Sequence, residues 1–231
     1  MSKDILSLEK KFGIEFRDKD LLQQAFVHRS YLNENPEFKL SNNERLEFLG
    51  DAVLELVTTR ELFLKYPDKT EGELTSWRAA LVNSRMLSQV AQELGLDDYL
   101  LLSRGETRET GKARNYILAN TVEAFIGALY LDQGLEAADT FLKAHILSKL
   151  DYVLSHKLFE DAKSRFQEAA QAEAAITPVY KVISESGPDH AKRFLIGAYL
   201  GEDLAGEGEG DSKQEAEEQA AKHALQNKGW E

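Results

Sequence analysis

The chain has 231 residues, of which 42% are hydrophobic and 29% are charged, so it can form one large domain or two modest ones. It contains no cysteine, which excludes disulfides, thiolate zinc sites and cysteine nucleophiles. Any bound metal must therefore have oxygen or imidazole ligands. Carboxylate ligands favour Mg²⁺ or Mn²⁺.

The formal net charge of −12 weighs against a nucleic-acid partner, because binding of a polyanion usually requires a basic surface. Carboxylates that hold divalent cations, together with a local basic patch, would still be compatible with one. No apolar run approaches the roughly 18 to 20 residues of a membrane span, and the N-terminal segment lacks the apolar core of a signal peptide. We therefore expect a cytoplasmic protein that does not bind a membrane.

Apolar residues at helical spacing predict two short N-terminal helices, over Leu6 to Phe12 and Asp20 to Phe26. His28 follows the second helix, and a hydrogen-bonded structural role is more common for such a histidine than metal ligation. The polar stretch 33–42 predicts a loop that leads into a longer helix.

This longer helix starts near residue 43 and is predicted to run to Tyr66, just before Pro67. At about 100° per residue, Glu44, Glu47 and Asp51 fall within roughly 60° of one another, opposite an apolar stripe. A solvated acidic face and a metal-binding face both fit this pattern. Phe48 points outward beside the acids, which favours a contact surface with a metal site nearby.

The next segments contain two helices and a basic stretch. Thr70 is predicted to cap the first helix, with Glu71 and Glu73 in the first turn, where the helix dipole favours acidic residues. Ser84 to Leu94 is predicted as the second helix. The stretch 103–115 lacks apolar periodicity and predicts a mobile loop with a basic run, formed by Arg104, Arg108, Lys112 and Arg114.

A second strongly amphipathic helix is predicted from Tyr116 to Leu131. Asn120, Glu123 and Gly127 on its polar face repeat the spacing of the three acids in the earlier helix. The two polar faces could converge on one ion cluster, and Gly127 would allow a backbone or a ligand to come close. The alternative for Glu123 is an ordinary surface glutamate.

The pattern changes after a last long helix, predicted over Ala137 to Leu154. Residues 155–160 are predicted to form a linker between an all-α domain, 1–154, and a second domain, 161–231. The second domain has the order α-β-β-β-α and the α+β class. Its predicted elements are a helix over Asp161 to Glu173, strands over Val179 to Ser184 and Arg193 to Leu200, a glycine-rich edge over Ala205 to Gly210, and a helix over Ser212 to Gln226.

The segment 43–54, Asn-Glu-Arg-Leu-Glu-Phe-Leu-Gly-Asp-Ala-Val-Leu, closely resembles the signature helix of bacterial ribonuclease III. The resemblance extends along nearly the full chain. The second domain resembles a double-stranded-RNA-binding domain through Lys-Ser-Arg-Phe-Gln-Glu at 163–168, Gly-Pro-Asp-His at 187–190 and Ser-Lys at 212–213.

This resemblance implies a homodimer that hydrolyses double-stranded RNA with Mg²⁺, or with Mn²⁺ as the alternative ion. The implied products carry 5′-phosphate and 3′-hydroxyl ends with short 3′ overhangs, in the processing of ribosomal and other structured RNA. Phe48 matches the aromatic residue that enters the partner subunit. The implied catalytic residues are Asp51, Glu123, Glu44 and Glu71, and the implied metal-binding residues are Glu47, Asp51, Asn120 and Glu123.

Asn120 departs from the family pattern, which usually has an aspartate at this position. An amide oxygen can coordinate Mg²⁺ but contributes no negative charge. The chain is therefore either a nuclease that needs more metal or a double-stranded-RNA-binding protein that cuts poorly, and the intact remaining acids favour the nuclease. A di-metal redox bundle is disfavoured because neither acidic helix has the Glu-x-x-His pair such bundles use.

The second domain is acidic, and Gln214 stands where a second lysine is common after Lys213. We expect weak and strongly salt-sensitive RNA binding that recognises shape more than sequence. The alternative is a small α+β domain for protein contacts. The residues expected to contact RNA are Gln167, Glu168 and Gln171 on the first helix, His190 in the loop, and Ser212 and Lys213 at the start of the last helix.

Overall fold

The computed structural model describes residues 4–108, 110–188 and 192–230, and the chain divides into two compact units, Met1–Phe159 and Glu160–Glu231. Helices make up the regular structure of the first unit, apart from one isolated parallel bridge between Val27 and Leu101. The second unit has the order helix, three strands, helix. The predicted fold class is confirmed. Within the described residues, no helix is both long enough and apolar enough to cross a membrane.

Nine α-helices form the described part of the first unit, and short 3₁₀ turns connect some of them. The α-helices are α1 (Leu6–Phe12), α2 (Lys19–Gln24), α3 (Arg29–Glu34), α4 (Glu44–Lys65), α5 (Glu71–Val82), α6 (Ser84–Glu93), α7 (Gly111–Gln133), α8 (Leu135–His145) and α9 (Leu150–Ser155). Side-chain caps fix several starts: Thr70 and Glu73 form a reciprocal capping box at α5, as the sequence indicates for Thr70, and Asn83 accepts from the Met86 N–H at α6.

Helix α7 is the centre of the first unit, because other helices surround most of its length. Phe125 on α7 is 1% exposed and is the hub of an aromatic cluster with centroid distances of 5.0 to 6.3 Å. The rings around it are those of Phe12, Phe16, Phe26 and Phe141. Edge-on and tilted ring packing of this kind adds stability beyond the buried area and fixes α7 in the core.

Helices α4 and α7 cross in backbone contact at two glycines. A Cβ atom added to Gly50 would lie 1.7 Å from the carbonyl oxygen of Glu123, and one added to Gly127 would lie 2.2 Å from the carbonyl oxygen of Leu46. Only glycine fits at either position without moving a helix. Gly127 therefore admits a neighbouring backbone, one of the two roles its position suggests.

The second unit is a three-stranded antiparallel sheet, in the order β1-β2-β3, with two helices packed against it. Phe166 is fully buried between these elements, beside a largely alanine-lined core. The elements are α10 (Ala162–Ala174), β1 (Val179–Ser186), β2 (Arg193–Leu200), β3 (Asp203–Gly210) and α11 (Lys213–Lys228).

The glycine-rich segment that the sequence predicts as an edge is a full strand, β3. Every second residue is glycine on the face towards α11, and added Cβ atoms would lie 2.2 to 2.6 Å from the α11 backbone. The facing α11 positions are the buried alanines Ala216, Ala220 and Ala224. Small residues on both sides allow the strand and the helix to pack backbone against backbone.

Three local predictions are wrong. The stretch 103–115 is not one loop, because 106–108 form a 3₁₀ turn and α7 already begins at Gly111. The Arg114 side chain is only 17% exposed and pairs with Asp97, which stabilises this early turn of α7. The long helix predicted over 137–154 is broken: α8 ends at His145, the fully buried Ile146 and a 3₁₀ turn follow, and α9 begins at Leu150. Residues 29–34, predicted without a helix of their own, form α3.

The predicted linker, 155–160, divides between the two units. Residues up to Phe159 belong to the first unit, because the Phe159 ring packs edge-on against Trp77 at 6.1 Å between centroids. Glu160 belongs to the second unit, where it pairs with Arg165.

Replacing Gly50 with alanine should strongly destabilise the first unit, because the new methyl group would overlap the α7 backbone. We expect a loss at or above the upper end of the roughly 1–3 kcal/mol typical of overpacked sites. Gly72→Ala is the matched control: a Cβ there meets nothing within 4 Å, so this change within α5 should stabilise by about 0.5–1 kcal/mol. Urea unfolding of both variants measures the difference, and equal stabilities would contradict the close crossing.

Candidate active site

The crossing of α4 and α7 places the acidic faces of both helices around one open cavity of about 750 Å³. The predicted catalytic and metal-binding residues that line it are Glu44, Glu47 and Asp51 from α4, and Asn120 and Glu123 from α7. The remaining wall is formed by His28, Arg29, Asn43, Phe48, Tyr116 and Ile117. The two polar faces thus converge, as their shared spacing predicts.

The cavity acids differ in how strongly their environment opposes ionisation. Burial, followed by the nearby carboxylates of Asp51 and Glu47, raises the pKa of Glu123 to about 8. Burial, the Glu44 carboxylate and the Asp51 carboxylate also raise the pKa of Glu47, whereas a hydrogen bond from the Asn120 side chain opposes this shift. Several carboxylates therefore share a partly buried space in which full ionisation is unfavourable.

The donor set suits a hard divalent cation. Carboxylate and amide oxygens are the ligands that Mg²⁺ and Mn²⁺ prefer. A cation in the cavity would relieve the repulsion between carboxylates, which adds to burial in raising the pKa values of Glu47 and Glu123. In the part of the chain that the structure describes, no three His, Asp or Glu side chains are already placed to hold a metal together. The argument for a cation site therefore rests on the types of donor atoms present and on their convergence in one cavity.

Glu71 lies apart from this set. It is the first residue of α5, where it is exposed and accepts a hydrogen bond from the Thr75 hydroxyl at 3.1 Å. It is absent from the described residues that line the cavity. The expectation that Glu71 joins the other acids is therefore not met within one chain, because α5 starts a new direction after the Pro67 break.

Phe48 points outward, as its position on the helix predicts. Its side chain is 80% exposed at the cavity rim. Leu56 and Phe63, further along α4, are 58% and 67% exposed. At about 100° per residue these three side chains lie on one side of α4, so this helix presents an apolar stripe to solvent.

Five cavity residues were not predicted as site residues: His28, Arg29, Asn43, Tyr116 and Ile117. His28 caps α3 and its Nδ1 lies 2.8 Å from the Ser30 hydroxyl, which agrees with the structural role expected for it, and its pKa is lowered chiefly by burial. Tyr116 precedes Asn120 by one helical turn, so the face that identified Asn120 and Glu123 could also have located it. Arg29 carries no sequence signal, because only the packing of α3 brings it to the cavity.

The predicted RNA-binding residues of the second unit occupy two exposed places. Gln167, Glu168 and Gln171 line a shallow groove on α10. Ser212 caps α11 by accepting from the Glu215 N–H at 3.2 Å. The Lys213 ammonium lies 3.3 Å from Glu185 and 5.6 Å from the Phe194 ring centroid, so an RNA phosphate would compete with a carboxylate for it. His190 lies outside the described residues.

Comparison with known proteins agrees with this arrangement. Residues 18–150 match the family described as ribonuclease-III-like, and residues 162–228 match the double-stranded RNA binding motif. Ribonuclease 3 of Enterococcus faecalis is 45% identical over 221 residues, which is 95% of this chain and 95% of the relative. Ribonuclease 3 of Oceanobacillus iheyensis is 46% identical over 223 residues, 96% of this chain and 97% of the relative.

A solved structure supports the fold of the first unit. The nuclease domain of ribonuclease III from Campylobacter jejuni superposes with a TM-score of 0.56 at 44% identity, covering 63% of this chain and 97% of that one. That nuclease domain shows structural flexibility in a region involved in dimer formation. The acidic cavity, the two matched domains and the near-complete coverage of these relatives show that the chain belongs to the ribonuclease III family of double-stranded-RNA-specific endoribonucleases.

Proposed function

We propose that this chain cleaves double-stranded RNA with Mg²⁺ as a homodimer, with Mn²⁺ as the alternative ion. Membership of the family implies a divalent metal in general terms. The proposed products have 5′-phosphate and 3′-hydroxyl ends with short 3′ overhangs, and the proposed role is the processing of ribosomal and other structured RNA in the cytoplasm. The observation that carries the proposal is the convergence of the α4 and α7 acids on one cavity.

The residues proposed to hold the metal are Glu47, Asp51, Asn120 and Glu123. A bound divalent ion supplies an activated water and neutralises charge on the phosphate. The chain itself fixes its carboxylates on two helices in backbone contact, which limits how far the donors can separate. Half-burial of Glu123 keeps bulk water from screening this charge cluster fully.

Asn120 fits the metal-binding proposal in spite of its missing charge. An amide has both an acceptor oxygen and two N–H donors, so Asn120 can donate to Glu47 while its oxygen remains available to a cation. An aspartate here would instead add another carboxylate to a site where ionisation is already opposed. The alternative is a double-stranded-RNA-binding protein with impaired cleavage, and the presence of Glu47, Asp51 and Glu123 in the cavity favours the nuclease.

RNA binding is proposed for the second unit through the α10 groove and the start of α11. The exposed amides of Gln167 and Gln171, with Glu168 between them, offer donors and acceptors suited to ribose hydroxyls in a minor groove. Glu215 occupies the first turn of α11 and accepts from the Asp211 N–H, which reduces the positive potential available to phosphates there. We therefore propose weak, salt-sensitive binding.

Dimerisation is proposed through the apolar stripe of α4. A two-fold axis places the same surface of both subunits in contact, so one exposed stripe can supply both halves of an interface. Phe48 is its most exposed member and lies at the cavity rim, so a partner bound there would also cover the edge of the site. Glu71 would join the acids of the cavity only if this assembly brings it there.

The central test is incubation of the purified protein with a long RNA duplex and Mg²⁺, with single-stranded RNA and duplex DNA as controls. Glu123→Gln should abolish cleavage of the duplex while hairpin binding persists, because the amide removes a charged ligand from the site. Glu136→Gln, in the exposed first turn of α8, is the matched control and should cleave normally. Retained cleavage in Glu123→Gln would remove Glu123 from the catalytic residues.

The raised pKa of Glu123 also predicts how stability depends on pH without divalent ions. Because the folded chain holds this proton up to about pH 8 and the unfolded chain releases it near pH 4.5, stability should fall as the pH rises between these values. Glu123→Gln should be more stable than the parent chain by roughly 1–2 kcal/mol at pH 8, after allowance for solvent screening, and nearly equal to it at pH 4.5. Thermal unfolding in EDTA measures this, and a constant difference across the range would contradict the assignment.

Phe48→Ala should weaken dimerisation, since it deletes the most exposed aromatic group of the stripe. Loss of one large buried anchor from an interface typically weakens association by tenfold or more. Sedimentation equilibrium over a range of concentrations measures the dissociation constant. Leu131→Ala, which truncates an exposed side chain near the end of α7, is the control. An unchanged Phe48→Ala dimer would count against the proposed interface.

Asn120→Asp should lower the Mg²⁺ concentration needed for half-maximal cleavage, because it adds a negative ligand. In EDTA at high pH the same change should lower the stability of the folded chain, since it adds a charge that repels the neighbouring carboxylates. Metal titrations of cleavage rate and of thermal unfolding separate these effects. No shift in the metal titration would mean that the amide is already an adequate ligand.

A further inference from the structure

Arg29 is the one Arg or Lys among the described residues that line the catalytic cavity. The other charged groups there are the carboxylates of Glu44, Glu47, Asp51 and Glu123. An RNA backbone carries several phosphates past such a site, and a metal at the acids can neutralise only those close to it. A second positive group is therefore needed where the strand enters or leaves the cavity.

We propose that Arg29 binds an RNA phosphate next to the scissile one, and that Glu44 acts as a positioning residue that holds Arg29 over the cavity. This inference rests on the proposed nuclease function and assigns Glu44 a role through Arg29. The chemistry of the ligand is that of a phosphodiester: a guanidinium can donate two parallel N–H bonds to its two free oxygens.

The contact between Arg29 and Glu44 leaves the guanidinium able to bind a phosphate as well. Arg29 Nη1 lies 3.7 Å from Glu44 Oε1, beyond the usual 2.7–3.2 Å of an N–H···O bond, and the side chains are 73% and 54% exposed. A guanidinium has five N–H donors, so a phosphate can bind Arg29 while Glu44 stays beside it. Glu44 is itself held, because its carboxylate accepts from the Asn42 amide at 3.0 Å.

Three other arginines of the first unit are more tightly engaged. Arg60 and Arg114 pair closely with Asp139 and Asp97, and Arg78 lies 2.9 Å from Glu55. None of these three lines the cavity as the structure describes it. Arg29 combines a place in the cavity wall with a loose partner, which is the arrangement expected of a substrate-binding cation.

The first experiment measures steady-state cleavage of an RNA hairpin by Arg29→Ala, Arg29→Lys and the parent chain. Arg29→Ala should raise KM about tenfold and leave kcat within about twofold, since it removes a charged hydrogen-bonding partner of the substrate. Arg29→Lys should recover part of this loss, because it keeps the charge without the planar fork. The control is Arg45→Ala, which removes an exposed arginine next to Glu44 that does not line the cavity. An equal rise in KM for Arg45→Ala would mean that the effect comes from net charge alone, and would overturn the proposal.

Hairpin binding without cleavage gives an independent readout in the Glu123→Gln background. Loss of one phosphate contact should reduce the slope of log affinity against log salt concentration by about 0.7 to 0.9 for Arg29→Ala. Arg29→Lys should keep the slope of the parent chain. An unchanged slope in Arg29→Ala would overturn the proposal.

Neutral methylphosphonate linkages, introduced one at a time around the cleavage site, then identify the phosphate. At one linkage the parent chain should lose about tenfold in kcat/KM, while Arg29→Ala should lose almost nothing further. Glu44→Gln should raise KM about threefold in the parent chain and have no added effect in Arg29→Ala. Equal losses at every linkage in both proteins would contradict the phosphate contact, and an added effect of Glu44→Gln in Arg29→Ala would contradict the positioning role.

These outcomes are distinct from failure of the proposed function. If the parent chain leaves an unmodified duplex uncut with Mg²⁺ and with Mn²⁺, the nuclease proposal fails. If the parent chain cuts the duplex and Arg29→Ala behaves like it in KM and in salt dependence, the nuclease proposal stands and the role of Arg29 fails. Circular dichroism melting confirms that each variant is folded, which the exposure of both side chains leads us to expect.

Discussion

The backbone contact between α4 and α7 at Gly50 and Gly127 is the constraint on which the candidate site depends. An added Cβ at Gly50 would collide with the carbonyl oxygen of Glu123. The crossing that joins the two helices therefore also fixes the backbone position of Glu123. The aromatic cluster around Phe125 holds α7 from its other side. The site is therefore built on two rigid helices supported by the largest core of the chain, the kind of support that keeps catalytic groups in register.

Close packing of the two helices has an electrostatic consequence. It forces carboxylates into one partly buried space, where burial and mutual repulsion raise the pKa values of Glu47 and Glu123. The core packing offsets this unfavourable charge in the absence of a cation. A divalent ion that neutralises the cluster would stabilise the folded chain as well as activate water, so metal binding and stability would be coupled at the proposed site.

Periodicity predicted the elements whose signal is local. The acidic and apolar faces of α4, the matching face of α7 and the α-β-β-β-α order all follow from spacing, because one side of each element is buried. Contacts between distant segments were not predictable in this way. The early start of α7 is supported by the pair between Arg114 and Asp97, the break at Ile146 coincides with burial of that side chain in the core, and Arg29 reaches the cavity only through the position of α3. Gly127 in α7 indicated close approach, but not what approaches, and the matching role of Gly50 in α4 was not predicted.

The net charge of −12 looked like an argument against a polyanionic ligand, and the structure resolves this through the location of the charges. Part of the acidic surplus lines the cavity. Carboxylates placed there are suited to binding a metal cation, and a bound cation can in turn contact a phosphate. The ion-pair partners of Arg29 and Lys213 are the solvent-exposed carboxylates of Glu44 and Glu185. An acidic protein of this kind needs few basic residues on its RNA surface, provided that each can bind a phosphate in spite of its weak internal partner.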